Sequence, residues 1–205
     1  MSVRKSIWEE TMTDPSSIDA LTSNVKTLHD ISSDNANSEY MTESTFPAVD
    51  FDGAKDSYAL KCGGSTRGCR SNDALVILEP GKQNFIFIEF KNGCISSSRE
   101  LEKIRSKIAE SLLIFNDMLD VSLSFDKTHV NYVLVYNQSK NDKFEKQRKD
   151  SSLTKIASIL GSYSKLDYLI KGFDYYRLFF NKVQTLNETE FKEITDALEN
   201  KTYSF

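Results

Sequence analysis

The stretch Asn84-Phe85-Ile86-Phe87-Ile88-Glu89-Phe90-Lys91 is an apolar run that ends in an acid and a base two residues apart. Side chains alternate faces along a strand, so Glu89 and Lys91 share a side and stand next to each other at the mouth of a sheet. Upstream, Ser71-Asn72-Asp73-Ala74-Leu75-Val76-Ile77-Leu78 brings another acid to the start of a second apolar run. Glu79-Pro80-Gly81-Lys82-Gln83 separates the two runs as a turn-like linker, which predicts an antiparallel hairpin. Such a pairing carries Asp73 and Glu89 to one end of the sheet, where two carboxylates and a lysine converge.

After the triplet, Asn92-Gly93 breaks the strand and Ser96-Ser97-Ser98 precedes an amphipathic helix marked by Leu101, Ile104, Ile108, Leu112, Phe115 and Leu119. Its apolar stripe is core that covers one face of the sheet. Val130 to Tyr136 is nearly continuously apolar and reads as a central strand. Leu153, Ile156, Ile159 and Leu160 mark a further helix stopped near Gly161. Tyr175 to Val183 reads as a strand and Thr189 to Asn200 as a final helix. Residues 1–45 form a polar N-terminal segment, in which Ile18, Leu21, Val25 and Leu28 outline one weak helix started by Asp14-Pro15-Ser16-Ser17. Phe46 to Gly53 is turn-rich and Tyr58 to Lys61 reads as a short strand. Residues 46–205 are then expected to form a single α/β domain.

With 205 residues, the chain is long enough to bury one core. No window approaches ~18 consecutive apolar residues and the start lacks the apolar centre of a secretory signal, so no membrane partner and a cytoplasmic location are expected. Cys62, Cys69 and Cys94 are read as reduced thiols. The net charge of −4 excludes coating of nucleic acid by bulk electrostatics, so local clusters must carry any phosphate contact. Lys61, Arg67 and Arg70 form one before Asp73, while Arg99, Lys103, Arg105 and Lys107 form a second. The Lys140 to Lys149 cluster is interleaved with Asp142 and Glu145 and reads as a solvated face. The loop Gly63-Gly64-Ser65-Thr66-Arg67-Gly68 lacks the Gly-Lys-Ser/Thr ending of a P-loop. His29 and His129 are too few for a hydrolase triad and are read as structural.

A strand begun by Asp73, a hairpin, a strand ending Glu89-Phe90-Lys91, then a helix and an apolar strand resembles the core of the PD-(D/E)xK nuclease superfamily. Asn72-Asp73 stands where the family has Pro-Asp, and the likeness covers about residues 55 to 137. The resemblance implies a restriction-endonuclease-like mixed central sheet flanked by helices. It also implies Asp73, Glu89 and Lys91 as catalytic residues, and a metal held by Asp73, Glu89 and the backbone carbonyl of Phe90. It adds an acid from a preceding helix: Glu43 is taken, with Glu39 as the other candidate and Asp50 and Asp52 as outsiders. Arg99 and Lys103, on the helix after the triplet, are the phosphate contacts it suggests, with Arg67 and Arg70 from the loop before Asp73.

Chemistry favours the same set. Mg²⁺ takes one or two carboxylates while keeping waters, and Mn²⁺ is an alternative ion. Phosphodiester hydrolysis needs a positioned water and stabilised phosphate charge, which a metal and an adjacent ammonium supply. The expected function is therefore a metal-dependent nuclease acting on nucleic acid, DNA in the first place, with a bacterial or phage defence setting by family analogy. A homodimer or a protein partner is compatible with this. The contrasting reading is an inactive nuclease-fold protein that binds nucleic acid or a protein partner.

Overall fold

A computed structural model describes residues 15–34, 37–78, 84–143, 146 and 173–200. Along the chain come α1 (Pro15–Thr22), β1 (Val25–Thr27), α2 (Leu28–Ile31), β2 (Ser33–Asp34), β3 (Glu39–Tyr40), β4 (Pro47–Asp50) and α3 (Phe51–Lys61). They are followed by β5 (Ala74–Ile77), β6 (Phe85–Lys91), α4 (Ser98–Leu119), α5 (Leu123–His129), β7 (Val130–Tyr136), β8 (Lys182–Asn187) and α6 (Glu188–Glu199). Short 3₁₀ turns lie at Ser139–Asn141 and Phe173–Leu178.

The alternation along β6 is used on both faces. Phe85 and Phe87 pack with Ile104, Ile108, Leu112 and Phe115 of α4, whereas Ile86, Ile88 and Phe90 join Val133, Val135 and Phe191 on the other side. Helices therefore flank a six-stranded mixed sheet of order β1-β4-β5-β6-β7-β8. β1, β4, β5 and β6 pair antiparallel in turn, and β6, β7 and β8 run parallel. The hairpin pairs Ala74 with Ile88 and Ile77 with Phe85, so Asp73, one residue before Ala74, comes level with Glu89. β2 and β3 form a separate two-stranded hairpin.

α4 owes its 22 residues to the apolar stripe and to good ends. The Ser97 side chain accepts the Glu100 N–H at 3.2 Å, and Asp120 closes the helix in the left-handed region at φ 52°. No described helix is long and apolar enough to cross a membrane.

Ala20 and Leu21 of α1 are fully buried in the main core and β1 is an edge strand of the sheet. Four local expectations are corrected. The helix over Ile18 to Leu28 stops at Thr22: Asn24 Nδ2 bonds the Ala20 carbonyl at 2.7 Å, and β-branched Val25 pairs with Val49. Phe46 to Gly53 is strand β4 running into α3, with Asp50 as N-cap accepting the Gly53 N–H at 3.2 Å, and Tyr58 to Lys61 is the last turn of that helix. Tyr175 to Leu178 is 3₁₀, and the strand starts only at Lys182. The Glu79–Gln83 linker and the helix at Leu153 to Gly161 lie outside the described residues.

α5 carries a buried acid with a readable consequence. Asp126 accepts a hydrogen bond from Asn116 Nδ2 at 2.8 Å, while its other oxygen, Oδ1, and Asn116 Oδ1 have no hydrogen-bond partner among the described residues. Burial pushes its pKa up to about 6. Its contribution to stability is most favourable below the ordinary value of 3.8 and is lost as pH rises to about 6, because the unfolded carboxylate hydrates freely. Asp126→Asn is expected to stabilise the protein at pH 8 by about 1–3 kcal/mol in urea denaturation, the gain shrinking towards pH 4. No gain at pH 8 would contradict a buried charge there.

Candidate active site

Asp73, Glu89 and Lys91 project from the α4 side of the sheet, and α4 brings a fourth charge to them. Lys107 Nζ lies 2.7 Å from Asp73 Oδ1 and 2.9 Å from each oxygen of Glu89. Lys91 Nζ lies 3.0 Å from Glu89 Oε1. The remaining Asp73 oxygen, Oδ2, accepts the Phe90 N–H at 2.7 Å, which locks the acid that precedes β5 onto the triplet at the end of β6. Asp73 is also anchored through its backbone, its carbonyl accepting the N–H of Phe51 at the start of α3. One residue earlier, the Asn72 N–H donates to Ser111 Oγ of α4 at 2.7 Å. Lys107 and Ser111, one helical turn apart, are thus the polar points at which α4 grips the β5 entry.

The electrostatics follow from burial. Glu89 is fully buried, and burial, then the Asp73 charge, push its pKa up to about 7 against the pull of Lys107 and Lys91. Burial works against the charge on Lys107, but the two carboxylates outweigh it and hold the ammonium above the ordinary lysine range. The Tyr132 hydroxyl, in the fully buried layer of β7, has no hydrogen-bond partner; burial, then the Glu89 and Asp73 charges, raise it.

These residues fit a hard divalent cation. Two carboxylates that reach one ammonium nitrogen at 2.7 and 2.9 Å are close enough to share one ion, and Glu89 Oε1 is a fully buried oxygen with no aligned hydrogen bond. Among the described residues no group of three or more His, Cys, Asp and Glu side chains is arranged to hold a metal. The carboxylate pair alone matches the need of an ion that keeps several waters.

The cluster opens into a cavity of about 510 Å³. Asp73, Phe90, Lys91 and Lys107 line it, facing Asp34 and Met41 of the β2–β3 region, with Glu100 of α4 at the side. Asn92 fixes that opposite wall. Its Nδ2 donates to Asp34 Oδ2 at 2.9 Å and Glu39 Oε2 at 2.6 Å, and its Oδ1 accepts from Asn137 at 2.8 Å and Lys140 at 3.0 Å. All the hydrogen-bonding capacity of one buried amide is used to tie the hairpin to the strand end.

The other expected residues are placed differently. Glu43 is exposed, 3.5 Å from His29 Nδ1, and does not line the cavity; residues 43–46 are not helical, so nothing turns it towards Asp73. Glu39 is tied to Asn92 and Lys140, Asp50 pairs with Lys26 at 2.6 Å, and Asp52 pairs with Lys55 and the Ser71 hydroxyl. Phe90 lines the cavity, although its ring packs on Phe191 at 5.6 Å across the sheet. Arg67 and Arg70 are exposed on a loop that does not line the cavity, and Gly63 and Gly68 serve that loop's turns at φ 69° and 86°. Arg99 is exposed on the first turn of α4, and Lys103 pairs with cavity-lining Glu100 at 2.5 Å.

Pattern reading counts Lys107 in the second basic cluster without placing it between the carboxylates, and gives Asn92 and Asp34 no part in the site. For Lys107 a signal existed: it sits beside Ile104, Ile108 and Ser111 on the buried side of α4, a cation on the edge of an apolar stripe. Comparison of the chain with family models, with curated proteins and with solved structures gives no match.

Proposed function

We propose that this protein is a metal-dependent nuclease of restriction-endonuclease-like architecture that hydrolyses phosphodiester bonds of nucleic acid, with Asp73, Glu89 and Lys91 as its catalytic residues. The observation that carries the reading is the convergence of the Asp73 and Glu89 carboxylates on a single cation at the edge of an open cavity. The order of elements supports the architecture: the antiparallel run β4-β5-β6 is followed by α4 and the parallel strand β7, with the acid entering β5 and the Glu-x-Lys closing β6.

Asp73, Glu89 and the Phe90 carbonyl are the groups that would hold Mg²⁺ or Mn²⁺. A bound ion supplies charge stabilisation at the phosphate and a more acidic water. Lys91 faces the cavity beside Glu89, where its ammonium can hold the attacking water and offset negative charge growing on the phosphate oxygens. Asp73 is kept in place by the Phe90 N–H, and the burial of Glu89 keeps bulk water from its inner oxygen. In the overall step water adds to phosphorus, one P–O ester bond breaks, and a phosphomonoester and a hydroxyl are released.

One observation favours the contrasting reading of a binding module without cleavage: both carboxylates are already neutralised by lysines. Incubation with plasmid, single-stranded DNA and RNA in Mg²⁺, Mn²⁺ or EDTA separates the two. The nuclease is expected to cleave at least one substrate in either metal and none in EDTA. Binding without cleavage in every condition would favour the module.

A further inference from the structure

We infer that Lys107 is the resident counter-cation of the Asp73–Glu89 pair, holding the same oxygens that a divalent ion would use and competing with it for them. This rests on the metal-dependent reading above. Of the four carboxylate oxygens, Asp73 Oδ2 is committed to the Phe90 N–H, and the other three all face Lys107 Nζ at 2.7 to 2.9 Å. Lys91 does not have this position, since among the described acids it reaches only Glu89, at 3.0 Å.

An ammonium nitrogen 2.7–2.9 Å from both carboxylates and an ion with Mg²⁺–oxygen bonds of ~2.1 Å cannot both sit between the same two acids, because both are cations and both need the space that Lys107 Nζ fills. Lys107 therefore has to leave for a divalent ion to be held. Its anchorage allows this. The side chain lines the cavity and comes from a helix fixed independently by Ile104, Ile108 and Phe115, so the flexible stem can swing into the opening while α4 stays in place.

The exchange changes the charge of the site. Asp73 and Glu89 against Lys91 and Lys107 are balanced, and an added divalent ion leaves these four side chains with an excess of two positive charges, facing Asp34 and Glu100 on the cavity wall. Lys107, displaced into that opening, is then a donor for a phosphate oxygen. Loading with metal turns a self-neutralised site into one that attracts a phosphodiester.

The test is Mn²⁺ titration of the full chain by calorimetry, with free Mn²⁺ followed by its paramagnetic resonance, on the wild type, Lys107→Met and Lys107→Gln. Circular dichroism selects the variants that are folded at the titration temperature. At least tenfold tighter Mn²⁺ binding by a folded variant is expected, because the ion no longer displaces an ammonium. Equal or weaker binding in the folded variants overturns the inference, and the nuclease reading stands if the wild type still cleaves with metal. No Mn²⁺ uptake by any of the proteins overturns both. A wild-type measurement removes the dependence on variant folding: in reductive methylation read by peptide mass spectrometry, Lys107 should label slowly in EDTA and several-fold faster in saturating Mg²⁺. Unchanged labelling overturns the inference.

Discussion

Asp73→Ala and Lys91→Ala are each expected to lower the rate of metal-dependent cleavage by about 10²- to 10³-fold, the usual consequence of removing one preorganised electrostatic contact from a transition state. The two substitutions reach this by different routes, and kinetics can tell them apart. In the proposed mechanism Asp73 gives a carboxylate to the ion, and through Oδ2 it fixes the Phe90 backbone. Its loss should therefore raise the metal concentration needed for half-maximal rate as well as lower the rate. It also leaves the Phe90 N–H unpaired and deprives Lys107 of a partner at 2.7 Å, so a stability loss of about 1–3 kcal/mol is expected alongside. Lys91 faces the cavity and pairs with Glu89 but not with Asp73, so Lys91→Ala should leave metal binding near its wild-type value and reduce turnover. Lys91→Arg should restore little, since a guanidinium is broader and does not place a compact point charge where the lysine ammonium sits. Cleavage unchanged in Asp73→Ala and Lys91→Ala would remove these residues from the mechanism whatever the fold.

The second large effect is on stability. Lys107→Met, measured by urea denaturation in EDTA, is expected to cost about 3–5 kcal/mol, because it strips the shared cation from two carboxylates, one of them fully buried. Glu89 then keeps only Lys91, and its pKa, already about 7, rises further because the Lys107 charge that lowered it is gone. The sign of the pH dependence follows. A carboxyl group whose folded pKa is raised contributes most at low pH and loses that contribution as pH climbs from the ordinary 4.5 through the folded value. The penalty of Lys107→Met should therefore be larger at pH 8 than at pH 6. Adding Glu89→Gln to Lys107→Met should recover most of the loss, since the double variant no longer buries an uncompensated charge. A double-mutant cycle showing independent, additive effects would mean that the two side chains are not coupled in solution.

How much of the site was legible before folding can be stated residue by residue. The acid, the acid-x-base triplet and the hairpin joining them were readable because each depends on short-range pattern: alternation along β6, turn residues after Leu78, and an acid at the head of β5. The upstream acid was not. The resemblance calls for an acid from a preceding helix and no spacing separates Glu43 from Glu39; residues 43–46 are irregular and the Glu43 side chain meets His29. Besides Asp73, the acids that border the cavity are Asp34 and Glu100, the first on a two-residue strand with too little pattern to detect. The amphipathic reading of Ile18 to Leu28 failed at Asn24 for a related reason, since the strand that follows is defined by its partner Val49 and not by its own three residues.

By itself the sequence determined which faces are apolar: the alternation of Phe85 to Lys91 and the stripe of Ile104, Ile108, Leu112 and Phe115 decide that a strand and a helix pack together with Glu89 and Lys91 on the shared side. Only the tertiary structure decided what stands opposite those charges. Lys107 lies 34 residues from Asp73, and Asn92 lies 58 residues from Asp34, and both meetings depend on the register of a long helix and a remote hairpin. Periodicity states which way a side chain points. The partner it meets is set by long-range packing, and here that packing put a lysine between the two acids on which the proposed chemistry depends.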